Sequence, residues 1–582
     1  MNTTLDMFGT DRASRPSGAG VAWWAPDPRA HALGYSQKPL RGSRLPRPPK
    51  TNAAPLDGER LIDAGRPVRS KVGRIALAFP DVYALGMSNL GFHTVYGLVN
   101  EQTAFACERA FYPDAAAEPA MKAGKLRPRT VETSTELRHF DAVSFSIPFE
   151  TNYIYAAKLL HNSGIPLRAA DRTSLPLVFA GGYAVSMNPE PIAEFLDFAV
   201  VGEAEGVLEE VLDAMERHLD ALRNPGTFAS ARAEFIEEIA GVRGVYVPEL
   251  RARDGAYRVA RNYVADLSES RAFSRIVARR THFSDTFLIE ATRGCVSSCA
   301  FCMAGLTTKP YRTVPLARLL ENSRAAVGVA RQVGIVGASP ADHPRIRDYA
   351  EAMLDAGLKA SFSSLRLSAI DDRLLDILVR SGQKTLTIAP EVLDETYRRR
   401  IDKGFPTNAR MREKMAHFFD AGIPTLKLYF MLGFPFEDDE YYARLADFLS
   451  SLSAEFLEGR KGRRRRLEFS LAYFIPKPHT PLAGAPMMPA AKMRAVRRFL
   501  RANAKGRASL SFEGAEASIV QGYFSRAGRE AADVIEWWLD KAIDRQTMKA
   551  AVAELGLEEK AIAPRAKAGQ PWDFIDTRPT AT

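Results

Sequence analysis

Three of the four cysteines in the 582-residue chain fall within eight positions, at Cys295, Cys299 and Cys302. Their spacing is C-x3-C-x2-C, and closely spaced cysteine thiolates are the usual ligands of iron–sulfur clusters. A structural zinc site normally closes with four ligands, often as two separated pairs. No second pair follows here, because the fourth cysteine, Cys107, lies far away in the sequence. The spacing favours a cluster with one iron left open for chemistry, with zinc and chance as the alternatives.

The cysteines come directly after the first strand of a strand–helix alternation that runs over residues 286–485. Apolar runs predict six strands, at 286–292, 333–338, 359–367, 384–390, 425–432 and 467–474. Helical stretches separate them, and such alternation is typical of a parallel sheet covered by helices. In barrels of this kind, the loops after the strands build the active site. We therefore predict an α/β fold with a partial (β/α)6 barrel and the cysteines at its functional end.

An earlier alternation of strands and helices occupies residues 74–225. Buried strands are predicted at 74–80, 141–147, 176–182 and 197–203, which indicates a Rossmann-like parallel-sheet domain. Ligands of such sheets bind beyond the carboxyl ends of the strands. The residues at those ends that we assign to a ligand are Gly181, Gly182, Gly202 and Glu203.

Three further regions complete the predicted organisation. Residues 1–73 are rich in Pro, Gly and Arg without periodicity, which predicts a flexible basic leader. Residues 226–285 are predicted to be a linker with a β-hairpin that turns at Asp254-Gly255. Residues 486–582 are predicted to be a mainly helical C-terminal region.

The composition gives a mild basic bias, with a net charge of +10. Such a charge permits a partner with phosphates, such as a nucleic acid, but does not require one. The N-terminus shows no basic segment followed by an apolar run, and no stretch of about 18 apolar residues occurs. We therefore expect no signal peptide, no membrane span and a cytoplasmic location, where clustered cysteines bind metal more often than they form disulfides.

With Phe301 directly before the last cysteine, the cysteine loop and its place in the barrel resemble the radical S-adenosylmethionine (SAM) superfamily. The resemblance implies a [4Fe-4S] cluster on the three cysteines and SAM on the open iron. It implies that one electron from the cluster cleaves SAM to a 5′-deoxyadenosyl radical, which abstracts hydrogen from a substrate. It also implies an electron donor such as flavodoxin or ferredoxin.

The resemblance extends to residues that would contact SAM. Residues 334–339 resemble the glycine-rich segment that receives the SAM amino group, and residues 363–368 resemble the strand that meets its ribose or carboxylate. Glu391 would face SAM or, alternatively, be an acid at a helix N-terminus. Residues 398–400 are three arginines that would pair with the SAM carboxylate or line a solvated helix face. The cofactor-binding residues implied in this barrel are Phe301, Gly334, Gly337, Ala338, Ser339, Ser363, Arg366, Ser368 and Glu391.

Residues 74–225 resemble the cobalamin-binding domain that precedes the barrel in one large branch of this superfamily. Over residues 74–485 the chain is similar to uncharacterised radical SAM proteins of this two-domain type. One departure is the missing Asp-x-His-x-x-Gly motif, whose histidine ligates cobalt. His93 lies in an apolar helix instead. Cobalamin would therefore bind without a protein ligand, in which case radical methylation is expected, or the domain has lost it.

Further sequence features indicate two other functions and one candidate catalytic residue. A methylthiotransferase acting on RNA or protein needs three further N-terminal cysteines, whereas Cys107 is the one cysteine outside the loop. A non-enzymatic nucleic-acid-binding protein with a purely structural metal would use the basic run 460–466. That run lacks interleaved aromatic residues. His479, which follows the last predicted strand, is a candidate catalytic proton-transfer group. The prolines around it indicate, as the alternative, a stiffened exit from the barrel.

Overall fold

The computed structural model describes residues 58–62, 72–114, 116–363, 365–458 and 465–578. These residues form two compact units. The sheet unit contains the described residues up to 284, together with 524–547 and 567–578, and the barrel unit contains 285–523 and 548–566. Most of the predicted leader and most of the basic run 460–466 lie outside the described residues.

The sheet unit is built on a six-stranded sheet of order β3-β2-β4-β5-β6-β7. Its first five strands in that order are parallel, and β7 pairs antiparallel with β6. This confirms the predicted Rossmann-like parallel sheet. The strands of the unit are β1 (Glu59–Leu61), β2 (Gly73–Phe79), β3 (Phe105–Phe111), β4 (Ala142–Ser146), β5 (Leu177–Gly181), β6 (Phe198–Val200), β7 (Val245–Tyr246), β8 (Val259–Ala260), β9 (Ile276–Ala278) and β19 (Ile575–Asp576).

Helices connect these strands and are capped as their sequences indicate. Asn89 caps one helix by accepting from the Phe92 amide, and Gly164 ends another with φ +70°, a conformation that favours glycine. The α-helices of the unit are Tyr83–Gly86, Leu90–Gln102, Glu118–Lys122, Asn152–Ser163, Tyr183–Met187, Val207–Arg223, Phe228–Ile239, Pro248–Arg253 and Ala531–Glu536. Short 3-10 turns lie at Leu137–His139, Ala169–Asp171 and Glu190–Phe195.

Strand β3 was missed by the sequence pattern, because polar residues interrupt its apolar run. Arg109, in the middle of β3, is buried and pairs with Glu59 at 2.8 Å and with Glu132 at 2.6 Å. A buried cation is tolerated when carboxylates and hydrogen bonds satisfy it. Glu59 lies inside the predicted flexible leader, but in the structure it begins β1, which pairs with β9. The ion pair with Arg109 also holds Glu59 in place.

The predicted hairpin at Asp254-Gly255 is wrong. Pro248 instead begins a helix, Pro248–Arg253, at a position where its missing amide costs no hydrogen bond. The flanking strands find other partners, since β7 joins β6 and β8 pairs with β19 (Ile575–Asp576). The sheet and its covering helix Phe228–Ile239 therefore reach beyond 225, into the predicted linker.

The barrel unit contains seven parallel strands in two runs, β10-β13-β14 and β15-β16-β17-β18. All six predicted strands are confirmed, and β18 adds a seventh from the region predicted as mainly helical. A short antiparallel ribbon, β11 with β12, follows the first strand. The strands are β10 (Thr286–Glu290), β11 (Thr292–Arg293), β12 (Arg312–Thr313), β13 (Gln332–Val336), β14 (Lys359–Phe362), β15 (Thr385–Glu391), β16 (Thr425–Leu432), β17 (Arg466–Tyr473) and β18 (Ser509–Phe512).

The helices of the barrel unit begin at acidic or hydroxyl caps where the sequence offers them. The Asp371, Asp394, Thr407 and Asp438 side chains each accept from backbone amides of the first turn. The α-helices are Ala304–Thr307, Leu316–Ser323, Ile346–Asp355, Asp372–Arg380, Glu395–Arg400, Asn408–Asp420, Asp439–Leu457, Ala490–Asn503 and Leu557–Ile562. Helices Ala515–Arg526 and Arg545–Glu554 each run from one unit into the other, and 3-10 turns lie at Arg324–Ala326, Pro340–Asp342 and Leu367–Ala369.

The predicted strand 359–367 is shorter in the structure, because β14 ends at Phe362 and a 3-10 turn follows at Leu367–Ala369. Arg366 and Ser368 therefore lie in a loop and a turn at the carboxyl end of the strand.

Among the helices of the described residues, none is long and apolar enough to cross a membrane.

Candidate active site on the cysteine loop

The cysteine loop, residues 294–303, leaves the short ribbon at the carboxyl end of β10. Gly294 begins it with φ +82°, and a Cβ there would lie 2.7 Å from the carbonyl oxygens of Thr308 and Pro310. Only glycine fits such a backbone conformation at such a close approach. The glycine before the first cysteine thus turns the chain from the ribbon into the loop.

All four cysteines are within the described residues and none forms a disulfide. Cys299 is buried, whereas Cys295 and Cys302 are partly exposed. The Cys302 amide donates to the Cys299 carbonyl at 2.9 Å, and the Ser297 amide points to the Cys295 Sγ at 3.4 Å. The first contact closes a turn between Cys299 and Cys302, and the second turns the backbone after Cys295 back toward its own thiol.

The charges around the loop act on these thiols. Burial raises the pKa of Cys299 to about 11, against the influence of the Lys403 ammonium, and the other two cysteines raise it further. Burial also raises the pKa of Cys302. Among the described residues, no group of three or more His, Cys, Asp or Glu side chains is arranged to hold a metal ion. The donor set itself, three thiols on one loop beside a cation, has the chemistry of an iron–sulfur ligand set.

Two backbone hydrogen bonds at Ala300 anchor the middle of the loop. Its amide donates to the Ile401 carbonyl at 2.8 Å, and its carbonyl accepts from the Leu482 amide at 3.3 Å. The proline-rich segment 475–482, which contains His479, therefore contacts the cysteine loop directly. His479 of this segment lies half-buried in a turn with φ +60°, and its catalytic role stays a prediction.

The glycine-rich segment after β13 meets the first cysteine. The Ser339 Oγ lies 3.1 Å from the Cys295 Sγ, and Ser339 is buried. Gly337 approaches Thr292 so closely that a Cβ would lie 2.3 Å from its Oγ1. Ala338, which lies between Gly337 and Ser339 in the chain, is half-buried. Gly334 lies inside strand β13 and not in the loop.

Polar residues after β14 reach the same segment. The Gly337 amide and carbonyl each lie 3.3 Å from the Ser363 Oγ, which accepts from the first and donates to the second. Arg366 pairs with Asp342 at 2.8 Å and donates to the Ser297 Oγ at 3.3 Å, so it links the cysteine loop to the 3-10 turn that follows the glycine-rich segment. Ser368 is exposed in its turn, and the structure brings it to none of these groups.

Glu391 ends β15 with φ +66° and pairs with the Lys403 Nζ at 2.9 Å. It is not the acid of a helix N-terminus, because Asp394 caps the following helix. Burial would lower the pKa of Lys403, but Glu391 and Cys299 outweigh it and the pKa is raised. Lys403 was missed by the sequence reasoning, since a single lysine after a helix carries no motif.

The three arginines 398–400 do not supply a free cation at this site. Arg398 is buried, where it donates to the carbonyl oxygens of Val392, Leu393 and Pro406 at 2.8–3.0 Å, and it was wrongly predicted as either solvated or a carboxylate partner. Its hydrogen bonds hold the loop that leads to Lys403. Arg399 and Arg400 are exposed.

Phe301 packs into an aromatic cluster at the carboxyl ends of β16 and β17. Its ring is 6.0 Å from that of Phe434, which stacks on Phe436 at 5.2 Å and on Phe474 at 4.7 Å. Glu437 fixes the turn that carries Phe434, because it accepts from the Gly433 amide at 2.6 Å and from the Tyr442 hydroxyl at 2.8 Å. Burial raises the pKa of Glu437 to about 7.

The strand-end residues assigned in the sheet unit contact their own backbone. A Cβ at Gly182, where φ is +109°, would lie 2.7 Å from the Ile147 carbonyl oxygen, and one at Gly202 would lie 2.2 Å from that of Asn262. The Gly181 carbonyl accepts from the Ile147 amide at 2.8 Å. Glu203 accepts from the Val264 amide at 2.7 Å. Contacts within the unit explain these residue types, and the assignment of the four residues to a ligand stays a prediction.

Two further residues of the sheet unit are buried. The His93 Nε2 lies 3.1 Å from the Met87 carbonyl oxygen, and burial lowers the pKa of His93 to about 4. The Cys107 amide donates to the Asn100 Oδ1 at 3.0 Å, and its side chain is fully buried. His93 is thus a packed histidine and Cys107 a core cysteine.

Several known proteins are similar to this chain. A solved structure of the radical SAM methyltransferase TsrM from Kitasatospora setae, with tryptophan and a SAM analogue bound, is 14% identical, covers 72% of this chain and 77% of its own, and has a TM-score of 0.45. The cobalamin-dependent SAM radical enzyme OxsB, solved with aqua-cobalamin and SAM, is 12% identical over 84% of this chain and 75% of its own, also with a TM-score of 0.45.

Family models and one relative match the sequence itself. The model described as radical SAM proteins, N-terminal, matches residues 91–248, and the radical SAM superfamily model matches residues 289–449. The uncharacterized protein MJ0966 of Methanocaldococcus jannaschii is 30% identical over 357 residues, which are 60% of this chain and 70% of that relative. The chain belongs to the radical SAM superfamily, whose cofactors are a [4Fe-4S] cluster and SAM.

Proposed function

We propose that the chain is a radical SAM enzyme in which Cys295, Cys299 and Cys302 hold the [4Fe-4S] cluster. The observation that carries the proposal is the 3.1 Å contact between the Cys295 Sγ and the Ser339 Oγ, which joins the cysteine loop to the glycine-rich segment. Cluster and SAM together would supply a 5′-deoxyadenosyl radical that removes hydrogen from the substrate.

Lys403 is the cation we assign to the SAM carboxylate. It lies beside the cysteine loop, its ammonium acts on Cys299, and Glu391 holds it at 2.9 Å. A partly buried ammonium at a cofactor site favours an anionic partner. Glu391 thereby has two roles, since it orients Lys403 and offers a carboxylate oxygen to a ligand amine.

The aromatic cluster is the surface we assign to the adenine ring. Phe301 stands between the second and third cysteines, and Met431 and Phe474 join it at the carboxyl ends of their strands. A planar ring is held best by aromatic faces and a polarizable thioether. Phe434 supports this surface from behind, and Glu437 fixes the turn that carries it.

The test is anaerobic reconstitution of the full chain with iron and sulfide, followed by SAM, a strong reductant and mass spectrometry of 5′-deoxyadenosine. The triple variant Cys295→Ala/Cys299→Ala/Cys302→Ala is expected to lose both iron and product. Cys107→Ala is the matched control, since Cys107 lies in a hydrophobic core, and it should keep both. A wild type that carries a full cluster and yields no more product than the triple variant would contradict the proposal.

We also propose that the sheet unit binds a cobalamin, without a histidine ligand to the cobalt. The parallel sheet and the match over residues 91–248 support it. At the carboxyl end of β2, Asn152 donates to the Pro80 carbonyl at 2.9 Å, while its buried Oδ1 has no hydrogen-bond partner within the described residues. A buried acceptor without a hydrogen-bond partner is rare in folded proteins, so this oxygen could accept a hydrogen bond from a ligand bound at this edge of the sheet. Cobalamin would supply the methyl group for a radical methylation.

Gel filtration of the full chain with hydroxocobalamin tests this second proposal. We expect about one corrinoid per chain to be retained by absorbance, and Asn152→Ala to weaken retention. Asn162→Ala, on the same helix, is the matched control. The Asn162 side-chain amide donates to the Lys158 carbonyl within that helix. Absence of retention by the wild type would rule the cobalamin proposal out and leave the radical SAM proposal intact.

A further inference from the structure

One side-chain hydroxyl lies against the first of the three thiols. The Ser339 Oγ is 3.1 Å from the Cys295 Sγ and in hydrogen-bond contact with it. Ser339 is 1% exposed, so water does not compete for this contact. Within the described part of the chain, the sulfur is the one hydrogen-bond partner of the Ser339 hydroxyl. The contact to sulfur is therefore what satisfies this buried polar group.

Two hydrogen bonds hold the backbone of Ser339 in this position. Its carbonyl accepts from the Asp342 amide at 3.1 Å, which closes the 3-10 turn Pro340–Asp342. The same carbonyl accepts from the Tyr311 hydroxyl at 3.3 Å. Tyr311 comes directly before β12, which pairs with β11 to form the short ribbon. Ser339 is thereby tied to the ribbon that carries the cysteine loop.

The direction of this hydrogen bond follows from the chemistry of the sulfur. Between a thiol and a hydroxyl, either group can donate. A cysteine that ligates iron is a thiolate, which carries no proton and can only accept. On a loop that holds the cluster, the Ser339 hydroxyl must therefore donate to Cys295. A hydrogen bond to an ionised acceptor is also stronger than one between neutral groups.

Other groups act on the other two thiols. The Lys403 ammonium acts on Cys299, and backbone amides of helix Ala304–Thr307 donate to Cys302. Cys295 receives the hydroxyl in addition to one backbone amide of its own loop at 3.4 Å. A substitution can remove the hydroxyl without changing a charge, whereas it cannot remove a backbone amide. The contribution of the hydroxyl is therefore open to measurement at a single ligand of the cluster.

We infer that Ser339 raises the reduction potential of the cluster by donating a hydrogen bond to the Cys295 thiolate. The inference rests on the proposed radical SAM function, because it needs the cluster on the cysteine loop. Reduction transfers one electron from the donor to the cluster, and the ligand sulfurs carry part of the added negative charge. A hydrogen bond donated to one of them is stronger in the reduced state and favours that state. Ser339 is thus a positioning residue that makes the cluster easier to reduce.

The experiment is an anaerobic potentiometric titration of the reconstituted full chain without SAM, in which electron paramagnetic resonance follows the reduced cluster. Ser339→Ala removes the donor, so the equilibrium should shift about 3- to 10-fold toward the oxidised cluster. For one electron, this equals a midpoint potential about 30–60 mV below that of the wild type. Ser361→Ala is the matched control and should keep the wild-type potential, since the buried Ser361 hydroxyl donates to the Val333 carbonyl at 3.3 Å.

A second pair of variants separates the hydroxyl from the space that the side chain fills. Ser339→Thr keeps a hydroxyl, and Ser339→Val replaces that hydroxyl by a methyl group at nearly the same size. The first should stay within about 2-fold of the wild-type equilibrium, which is about 18 mV, and the second should shift as Ser339→Ala does. This pair decides the question if Ser339→Ala holds fewer than four irons.

Three results would overturn the inference, and each is distinct from failure of the proposed function. The first is an equal potential in the wild type and in a loaded variant without the hydroxyl. The second is loss of the cluster from both variants without the hydroxyl but not from Ser339→Thr, because the hydroxyl would then act on cluster retention. The third is loss of the cluster from all three variants, because the loop would then require the shape of serine. In each case the wild type can still yield 5′-deoxyadenosine, whereas a loaded wild type that shows the expected shift and yields no product would contradict the SAM function alone.

Discussion

The carboxyl ends of the parallel strands are occupied differently in the two units. In the sheet unit, the glycines at 181, 182 and 202 accommodate neighbouring backbone, and the acid at 203 accepts a backbone amide. In the barrel unit, the same positions bring together thiols, a hydroxyl, a cation and a carboxylate around one loop. Glycine at a strand end therefore does not by itself indicate a ligand, whereas convergence of unlike chemical groups does.

The largest effect on stability is expected from Gly202→Ala, which tests whether packing against neighbouring backbone is what requires a glycine at this strand end. A methyl group there would overlap the Asn262 carbonyl, and φ is +107°, so steric overlap and backbone strain should together cost about 2–5 kcal/mol of unfolding free energy. Chemical denaturation monitored by circular dichroism measures it. Gly124→Ala, with φ +67° but open space around it, is the control and should cost less. Equal losses would mean that packing at Gly202 is not what requires the glycine.

A smaller effect is expected from Lys403→Met in the barrel unit. The variant keeps the aliphatic stem and removes the charge, so SAM affinity should fall about 10- to 100-fold. Equilibrium dialysis of SAM against the reconstituted protein checks this. Arg400→Met, an exposed cation on the neighbouring helix, should leave the affinity unchanged. If both variants bind SAM as the wild type does, the carboxylate has another partner.

The third effect is a pH dependence of stability that depends on Glu437. Its pKa is about 7 in the folded chain against an ordinary value of 4.5, so the folded state holds the proton over a range where the unfolded state has lost it. Glu437 should therefore lower the unfolding free energy as pH rises from about 4.5 to about 7, by ~1–3 kcal/mol. Subtracting the pH profile of Glu437→Gln from that of the wild type isolates the effect. Glu440→Gln, at an exposed acid, should reproduce the wild-type slope.

Much of the fold could be predicted because each unit repeats one pattern. Apolar strands between amphipathic helices identify parallel sheets, and all six strands proposed for the barrel are present. Strand β3 was not predictable, since Arg109 becomes acceptable in a sheet only through Glu59 and Glu132, which lie 50 and 23 residues away. Strand β18 was missed because it is only four residues long and follows a long basic helix.

The candidate site was predictable where spacing alone defines chemistry. The spacing of the three cysteines points to a metal cluster, the family resemblance adds Phe301, and the structure places all four residues on one loop. Lys403 and Glu437 could not, because their roles depend on burial and on partners brought by the fold. Arg398 shows the reverse error, since a charged triplet on a short helix has the sequence of a solvated face while one of its members is buried.

The division of the chain between the two units has a consequence for its synthesis. The sheet unit includes residues up to 284 but also residues 524–547 and 567–578, and β8 receives its partner strand only at Ile575–Asp576. At about 5–20 residues per second, a ribosome adds the roughly 300 intervening residues in about 15–60 s. During that time the six-stranded sheet already has all its strands, but β8 lacks its partner, so the first unit made is the last to be completed. Neither unit can accordingly be produced from a single uninterrupted segment of the gene.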